Sequence, residues 1–213
     1  MCGIAGLIHK GKTVKIGYEL QNMLQALKHR GPDSTGFALY GEGHDNDYIM
    51  RFKVGENVKE GSSAVNEDKS VYDARKRNVD VHLKELGAEV VKEEQITPYS
   101  FKYIMKYDGD LMEFSKTIES VEMTEILSIG KHLELVKDIG DAEVVSKQYS
   151  LDQIKGTHAI GHTRMATESG VDIRSAHPFW GYPFSDVSVV HNGQLTNYWN
   201  NRRRLERAGM RFM

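Results

Sequence analysis

Met1-Cys2-Gly3-Ile4-Ala5-Gly6-Leu7-Ile8 opens the chain, and Cys2 is the only cysteine in its 213 residues. Removal of Met1 makes Cys2 the N-terminus, with a thiol and a free amine carried on one carbon. A free thiol titrates near ~8.5 and an α-amine near ~7.7–8.0. The amine can therefore take the thiol's proton near neutral pH, directly or through one water. One residue then supplies both the attacking atom and its base. The alternative is a small hydrophobe in an N-terminal strand, since Ile4–Ile8 itself reads as a short strand. The choice between the two depends on what the rest of the chain brings to this end.

The length suits one large domain, or one domain with an insert, and allows a sizeable core. Hydrophobic residues make up 39% and charged residues 27%, an ordinary soluble balance. A net charge of −2 gives no global reason to expect nucleic acid or an acidic membrane as partner. One cysteine rules out an internal disulfide framework and a cysteine zinc cluster. The apolar run Ile4–Ile8 is too short for a signal-peptide core and ends at His9-Lys10. No stretch approaches the ~20 apolar residues of a membrane span, so the cytoplasm is the expected compartment. Residues 56–150 hold 13 Lys/Arg against 20 Asp/Glu, and the remainder 15 against 10. That shift marks a compositional boundary.

Ile16, Leu20, Met23, Leu24 and Leu27 recur at helical spacing. His29-Arg30-Gly31-Pro32-Asp33-Ser34 ends that helix, because Gly-Pro cannot continue it. Phe37–Tyr40 and Tyr48–Val54 read as strands joined by a polar loop. Within 56–150, Tyr72, Val79, Leu83 and Leu86 make a helical face, with a weak capping signal at Ser70-x-x-Asp73 and a stop at Gly87. Strands follow at Glu89–Val91 and Ser100–Tyr107, where Phe101, Tyr103, Met105 and Tyr107 alternate with Lys102 and Lys106. Asp110 caps a helix carrying Leu111, Phe114, Ile118 and Val121, and strands come near Glu125–Ile129 and Leu133–Val136. The order suggests a small inserted α+β module with no motif of catalytic kind. Beyond it, His158–Met165 reads as a strand, Val187–Val190 as a buried strand, and Thr196 as the cap of a final helix through Ala208, stopped by Gly209.

Three motifs bear chemistry. Arg30-Gly31-Pro32-Asp33-Ser34 is a turn by itself, but Arg30 offers a planar donor fork on a fixed loop. Gly161-His162-Thr163-Arg164-Met165-Ala166-Thr167 places an arginine at a strand end. Burying it costs stability unless it is paired, and either a structural carboxylate or a substrate carboxylate meets its bidentate geometry. His191-Asn192-Gly193 follows a β-branched strand and precedes a helical stretch, which weakens the usual hairpin reading of Asn-Gly. An Asn amide beside a Gly N–H gives two converging donors, the equipment of an oxyanion hole.

Together with Cys2-Gly3-Ile4 and Ala176-His177-Pro178-Phe179, these motifs resemble the class II glutamine amidotransferases, a branch of the N-terminal-nucleophile hydrolases. The resemblance covers roughly 1–54 and 156–213. It implies an α+β fold of the Ntn type, an αββα four-layer sandwich, with residues 1–55 and 151–213 forming the amidotransferase domain and 56–150 inserted. It implies hydrolysis of L-glutamine to glutamate and ammonia without a cofactor. By motif position Cys2 is the nucleophile, and Asn192 and Gly193 stabilise the oxyanion. Arg30 buttresses the site, Arg164 holds the substrate α-carboxylate with help from Thr167, and His177 shapes the pocket. Met165 and Glu168 depart from the bulky aromatic and the histidine common in the Thr-Arg motif of the family. The family's aspartate for the substrate amine falls some two dozen residues after the Asn-Gly pair, so the sandwich is expected to be truncated at its C-terminal side or completed by another polypeptide. The ammonia-accepting synthase is expected to be a partner. The stretch His191–Tyr198 looks most similar to separate glutaminase subunits of glutamate-synthase-type enzymes, N-methylglutamate-synthase-like systems included.

Other readings of the chain are a different N-terminal-nucleophile amide hydrolase and a non-catalytic binding or regulatory module on the same fold. His158-x-x-x-His162 has zinc-like spacing on a helix. On a strand the two Cα atoms lie roughly 13 Å apart, so no metal is expected. The arginines of Asn201–Arg211 suit a solvated or partner-facing helix better than a nucleic-acid face, because no aromatic ladder accompanies them.

Overall fold

The computed structural model describes residues 2–43, 47–56, 67–165 and 173–210. In chain order the elements are β1 (Gly3–Ile8), α1 (Ile16–Ala26), β2 (Ser34–Gly41), β3 (Tyr48–Lys53), α2 (Lys69–Glu85), β4 (Glu89–Thr97), β5 (Ser100–Lys106), α3 (Leu111–Ile118), β6 (Glu125–Gly130), β7 (Leu133–Ile139), α4 (Ala142–Gln148), β8 (Gly156–Arg164), β9 (Phe179–Trp180), β10 (Ser188–Val189) and α5 (Tyr198–Arg207). The chain is α+β, and every strand pair is antiparallel. One four-stranded sheet runs β1-β8-β2-β7, a second runs β4-β5-β3-β6, and β9 and β10 form a small third.

Alternation along the strands builds three buried clusters. In the first sheet Phe37 and Leu39 of β2 meet Ile16, Leu20 and Leu24 of α1, together with Val145 of α4. Ala38 points the other way, onto Leu127, Leu133 and Leu135. In the second, Met50 and Phe52 of β3 and Phe101, Tyr103 and Met105 of β5 pack on Tyr72, Val79 and Leu83 of α2 and on Phe114 and Ile118 of α3. Each such side chain contributes about 1.5–3 kcal/mol by leaving water.

Basic residues on the opposite face, Arg51 of β3 and Lys102 of β5, with Lys137 of β7, tie the two sheets together. Arg51 Nε and Lys102 Nζ each donate to Glu134 of β7 at 3.0 Å. Lys53 and Lys137 flank Glu125 at 2.9 Å. Burial pushes the Glu134 carboxyl toward its neutral form, but Arg51 and Lys102 outweigh burial and hold its pKa below the ordinary carboxylate value. Glu134→Leu leaves buried Arg51 and half-buried Lys102 without their carboxylate. It is expected to lower the unfolding free energy by about 3–5 kcal/mol, read from urea denaturation; a loss under ~1 kcal/mol, the size of an exposed pair, would contradict the buried cluster.

Segment 56–150 does not stand apart in strand pairing. β6 pairs with β3 from Ile49↔Gly130 to Lys53↔Glu125, and β7 pairs with β2 from Ser34↔Ile139 to Tyr40↔Leu133. Both strands are buried along most of their length, their charged residues Glu125, Glu134 and Lys137 in ion pairs, and they fill edges of sheets begun by flanking residues. The charge boundary and the pairing boundary therefore fall in different places.

Four local expectations change. Asp68, not Ser70, caps α2, its carboxylate accepting from Ser70 N at 3.0 Å. α4 is an addition to the elements expected from sequence; Asp141 caps it by accepting from Val144 N at 3.1 Å. The last helix begins at Tyr198 after Asn197 in the left-handed region (φ 56°), with no side-chain cap from Thr196. The Val187–Val190 stretch is not buried: β10 pairs only with two-residue β9, and Val187 and Val189 are 46% and 52% exposed.

Candidate active site

Three strand ends create the site. β8 lies between β1 and β2, with Gly3 opposite Thr163 and Ser34 opposite Arg164. One further residue along the first register sets Cys2 level with Arg164. The Gly31-Pro32 turn lies directly on the end of β8. A Cβ on Gly31 would come within 2.6 Å of the Arg164 carbonyl carbon, so only glycine fits there. Asp33 N donates to the Arg164 carbonyl at 3.1 Å and locks the turn to the strand.

That anchoring directs Arg30 at the N-terminus: its Nε donates to the Cys2 carbonyl at 3.2 Å. Asn192, 190 residues away in sequence, donates its Nδ2 to the same carbonyl at 3.2 Å. Its Oδ1 meets His162 Nε2 at 3.0 Å. Gly193 follows with φ 138°, in a region where an L side chain is strained. The Cys2 side is half-buried and Asn192 exposed, so the cluster opens to solvent.

His177 sits behind this layer. Gly36 of β2 has no Cβ because the His177 carbonyl occupies that space, and the His177 ring lies 4.9 Å from that of His162. Burial pushes the His177 pKa down to about 4, with His162, Lys137, His191 and Arg164 adding like charge. His162 is also lowered, by burial first, against an opposing pull from the Asn192 hydrogen bond and with a lesser lowering by Arg164. A base whose folded pKa is depressed stabilises the fold fully above its unfolded value, near ~6.5, and loses that contribution as pH falls through the folded one. Stability is therefore expected to fall between about pH 6.5 and about 4, in the window that the lowered His177 sets. Thermal unfolding at pH 7 and pH 5 checks this, and His177→Phe should shrink the difference between the two.

The structure thus joins Cys2, Arg30 and Asn192 by direct contact. It places Gly193 beside Asn192, Arg164 at the adjacent strand end, and His177 one ring further in. Thr167 and Glu168 lie outside the described residues. The motif positions in the sequence give His162 no role. The signal for it was parity: His162 and Arg164 are two apart on a strand and share one face. Both His158 and His162 lie on β8, as a strand reading requires. Among the described residues no group of three or more His, Cys, Asp or Glu side chains is placed to hold a metal ion. No described helix is long and apolar enough to cross a membrane. A cavity of about 590 Å³ lies elsewhere, lined by Lys137, Phe179, Trp180, Tyr182 and Tyr198 among others, and none of the site residues lines it.

In sequence the chain is similar to proteins named as glutamine amidotransferases and, over a shorter span, to an amidophosphoribosyltransferase. The chain is 38% identical over 214 residues to a putative glutamine amidotransferase of Methanothermobacter thermautotrophicus, covering 98% of this chain and 66% of that protein. It is 31% identical over 215 residues to the glutamine amidotransferase-like protein GlxB of Rhizobium meliloti, covering 100% of this chain and 65% of that one. A shorter match, 38% over 87 residues, links 40% of this chain to 16% of the chloroplastic amidophosphoribosyltransferase 2 of Arabidopsis thaliana. The chain spans just under two thirds of the length of the first two relatives. No family model matches it.

Proposed function

We propose that this chain is a glutaminase, hydrolysing L-glutamine to glutamate and ammonia through an N-terminal cysteine. The observation that carries the reading is the convergence of Arg30 and Asn192 on Cys2, from opposite ends of the sequence. Loss of Met1 frees the Cys2 amine, which takes the thiol proton directly or through one water. The thiolate adds to the side-chain carbonyl carbon of glutamine, and Asn192 Nδ2–H and Gly193 N–H stabilise the oxyanion. The tetrahedral adduct collapses to a thioester as the ammonium of Cys2 protonates the departing amine, releasing ammonia. Water, deprotonated by the same amine, then cleaves the thioester to glutamate and restores the thiol.

In this scheme Arg164 pairs with the substrate α-carboxylate in bidentate fashion, assisted by Thr167. Arg30 holds the Cys2 backbone, and His177, kept neutral by burial, shapes the pocket wall. The ammonia passes to a partner synthase of glutamate-synthase-like or N-methylglutamate-synthase-like kind in the cytoplasm. Residues 1–55 and 151–213 carry the amidotransferase chemistry on an Ntn-type αββα arrangement. Residues 56–150 form an insertion that also lends β6 and β7 to the sheets.

The reading rests on the amine being free and on the same residue as the thiol, and this is directly testable. A chain with one alanine inserted between Met1 and Cys2 keeps the thiol but acylates the Cys2 nitrogen. Glutamate release from glutamine should fall by roughly 10²–10⁴-fold, the contribution of a positioned general base. Mass spectrometry should show Met1 absent from the active parent chain. Undiminished turnover in the inserted chain would refute the mechanism.

A further inference from the structure

We infer that His162 is a positioning residue that sets the orientation of the Asn192 amide toward Cys2, an inference that rests on the reading above. The argument comes from donors and acceptors. The Cys2 carbonyl oxygen can only accept, so the Asn192 atom 3.2 Å from it is the NH₂ nitrogen. The atom facing His162 is therefore the amide oxygen, which can only accept. Hence His162 Nε2, 3.0 Å away, carries a hydrogen and donates it. The chain of bonds runs from His162 Nε2–H to Asn192 Oδ1 and from Asn192 Nδ2–H to Cys2 O. It has one direction, and the imidazole fixes it.

The surroundings hold that imidazole still. His162 is 2% exposed, on the central strand β8, between Ile4 of β1 and Gly36 of β2 in the same cross-strand row. The His177 ring closes one side. The Nδ1 of His162 is buried with no hydrogen-bond partner among the described residues. Among the described residues no second hydrogen bond pulls the ring away from Asn192. The position instead favours one donor aimed at one amide. An apolar residue in its place frees Asn192 to rotate by half a turn and present Oδ1, not Nδ2–H, to a developing negative oxygen.

The consequence is a loss in kcat without loss of substrate binding, since Arg164 and not Asn192 seats the α-carboxylate. His162→Leu is expected to lower kcat by roughly 10–100-fold, the scale of a misplaced catalytic group, with KM for glutamine within about 3-fold of the parent. His162→Gln, whose amide nitrogen reaches the Nε2 position, should recover most of the rate, and His162→Asn, whose amide stops near Nδ1, should not. His162→Leu added to Asn192→Ala should cost nothing further, because the two act through one bond. Equal rates for the Gln and Asn variants, a rise in KM alone, or additive losses in the double variant would overturn the proposal. The Gln–Asn comparison decides the matter even if His162→Leu fails to fold.

A readout independent of turnover separates this inference from the functional reading. Long-range ¹H–¹⁵N spectra of the imidazole should show the Nε2–H tautomer alone in the parent and a mixture of tautomers in Asn192→Ala. An Nδ1–H tautomer in the parent would overturn the proposal whatever the enzyme does. If instead Cys2→Ala retains glutaminase activity, the functional reading fails, and the tautomer result stands by itself as a structural finding.

Discussion

Cys2→Ala is expected to abolish release of glutamate and ammonia from glutamine, with a fall in kcat of at least about 10⁴-fold, as found when a nucleophile is removed from a site that works as a unit. The substitution removes the sulfur and keeps the N-terminal amine, so it separates the attacking atom from its base. Alanine is small enough to leave the neighbourhood intact. Arg30 and Asn192 both bind the Cys2 backbone carbonyl and not its side chain, so their placement should survive. The unfolding temperature of the variant should therefore match that of the parent. A glutamine-trapped thioester, detectable as a mass increase on the N-terminal peptide of the parent after acid quench, should be missing from the variant. Turnover that persists in Cys2→Ala would end the assignment of a covalent mechanism.

Asn192→Ala is the second large effect. Loss of one oxyanion donor lowers kcat by roughly 10²–10³-fold. Asn192 is exposed, and among the described residues its side chain hydrogen-bonds to Cys2 and His162, so little stability should go with it. KM should hold steady, because the donor acts on charge that develops only after attack. Aspartate at the same position makes a sharper test. Asn192→Asp keeps the shape but places a negative charge where the oxyanion forms, and it should be slower than the alanine variant. Should both variants turn over glutamine at the parental rate, Asn192 would have no place in the chemistry.

Much of this arrangement was legible in the chain. α1 and the turn at Gly31-Pro32 follow from apolar spacing and from a dipeptide that cannot stay helical, and β5 follows from Phe101, Tyr103 and Met105 alternating with lysines. Asp110 announced α3, its carboxylate accepting from Met112 N at 2.7 Å. Local rules failed where partners decide. β10 looks like core by composition, but a run of valines is buried only if another strand or sheet covers it. α4 is a helix because Ala142 and Val145 meet α1 and the Phe37 face of the first sheet, a contact that no window of seven residues contains. Thr196 is a good capping residue by type, yet the backbone enters α5 through Asn197 in a left-handed conformation. By charge balance β6 and β7 belong to a separate module, and their pairing with β3 and β2 cannot be inferred from it.

The chain's own residues determined the chemistry available: one thiol placed to share a carbon with an amine, arginines at two turn or strand ends, and an Asn-Gly pair. These are properties of residue type and order, and they need no third dimension. Tertiary structure decided which of them meet. Antiparallel register places the ends of β1, β8 and β2 side by side, and a glycine pressed on the β8 backbone directs Arg30 toward Cys2. A buried histidine then fixes which end of the Asn192 amide faces that residue. Hydrogen-bond direction across 190 residues of sequence depends on geometry, because donors and acceptors act only within about 3 Å of each other.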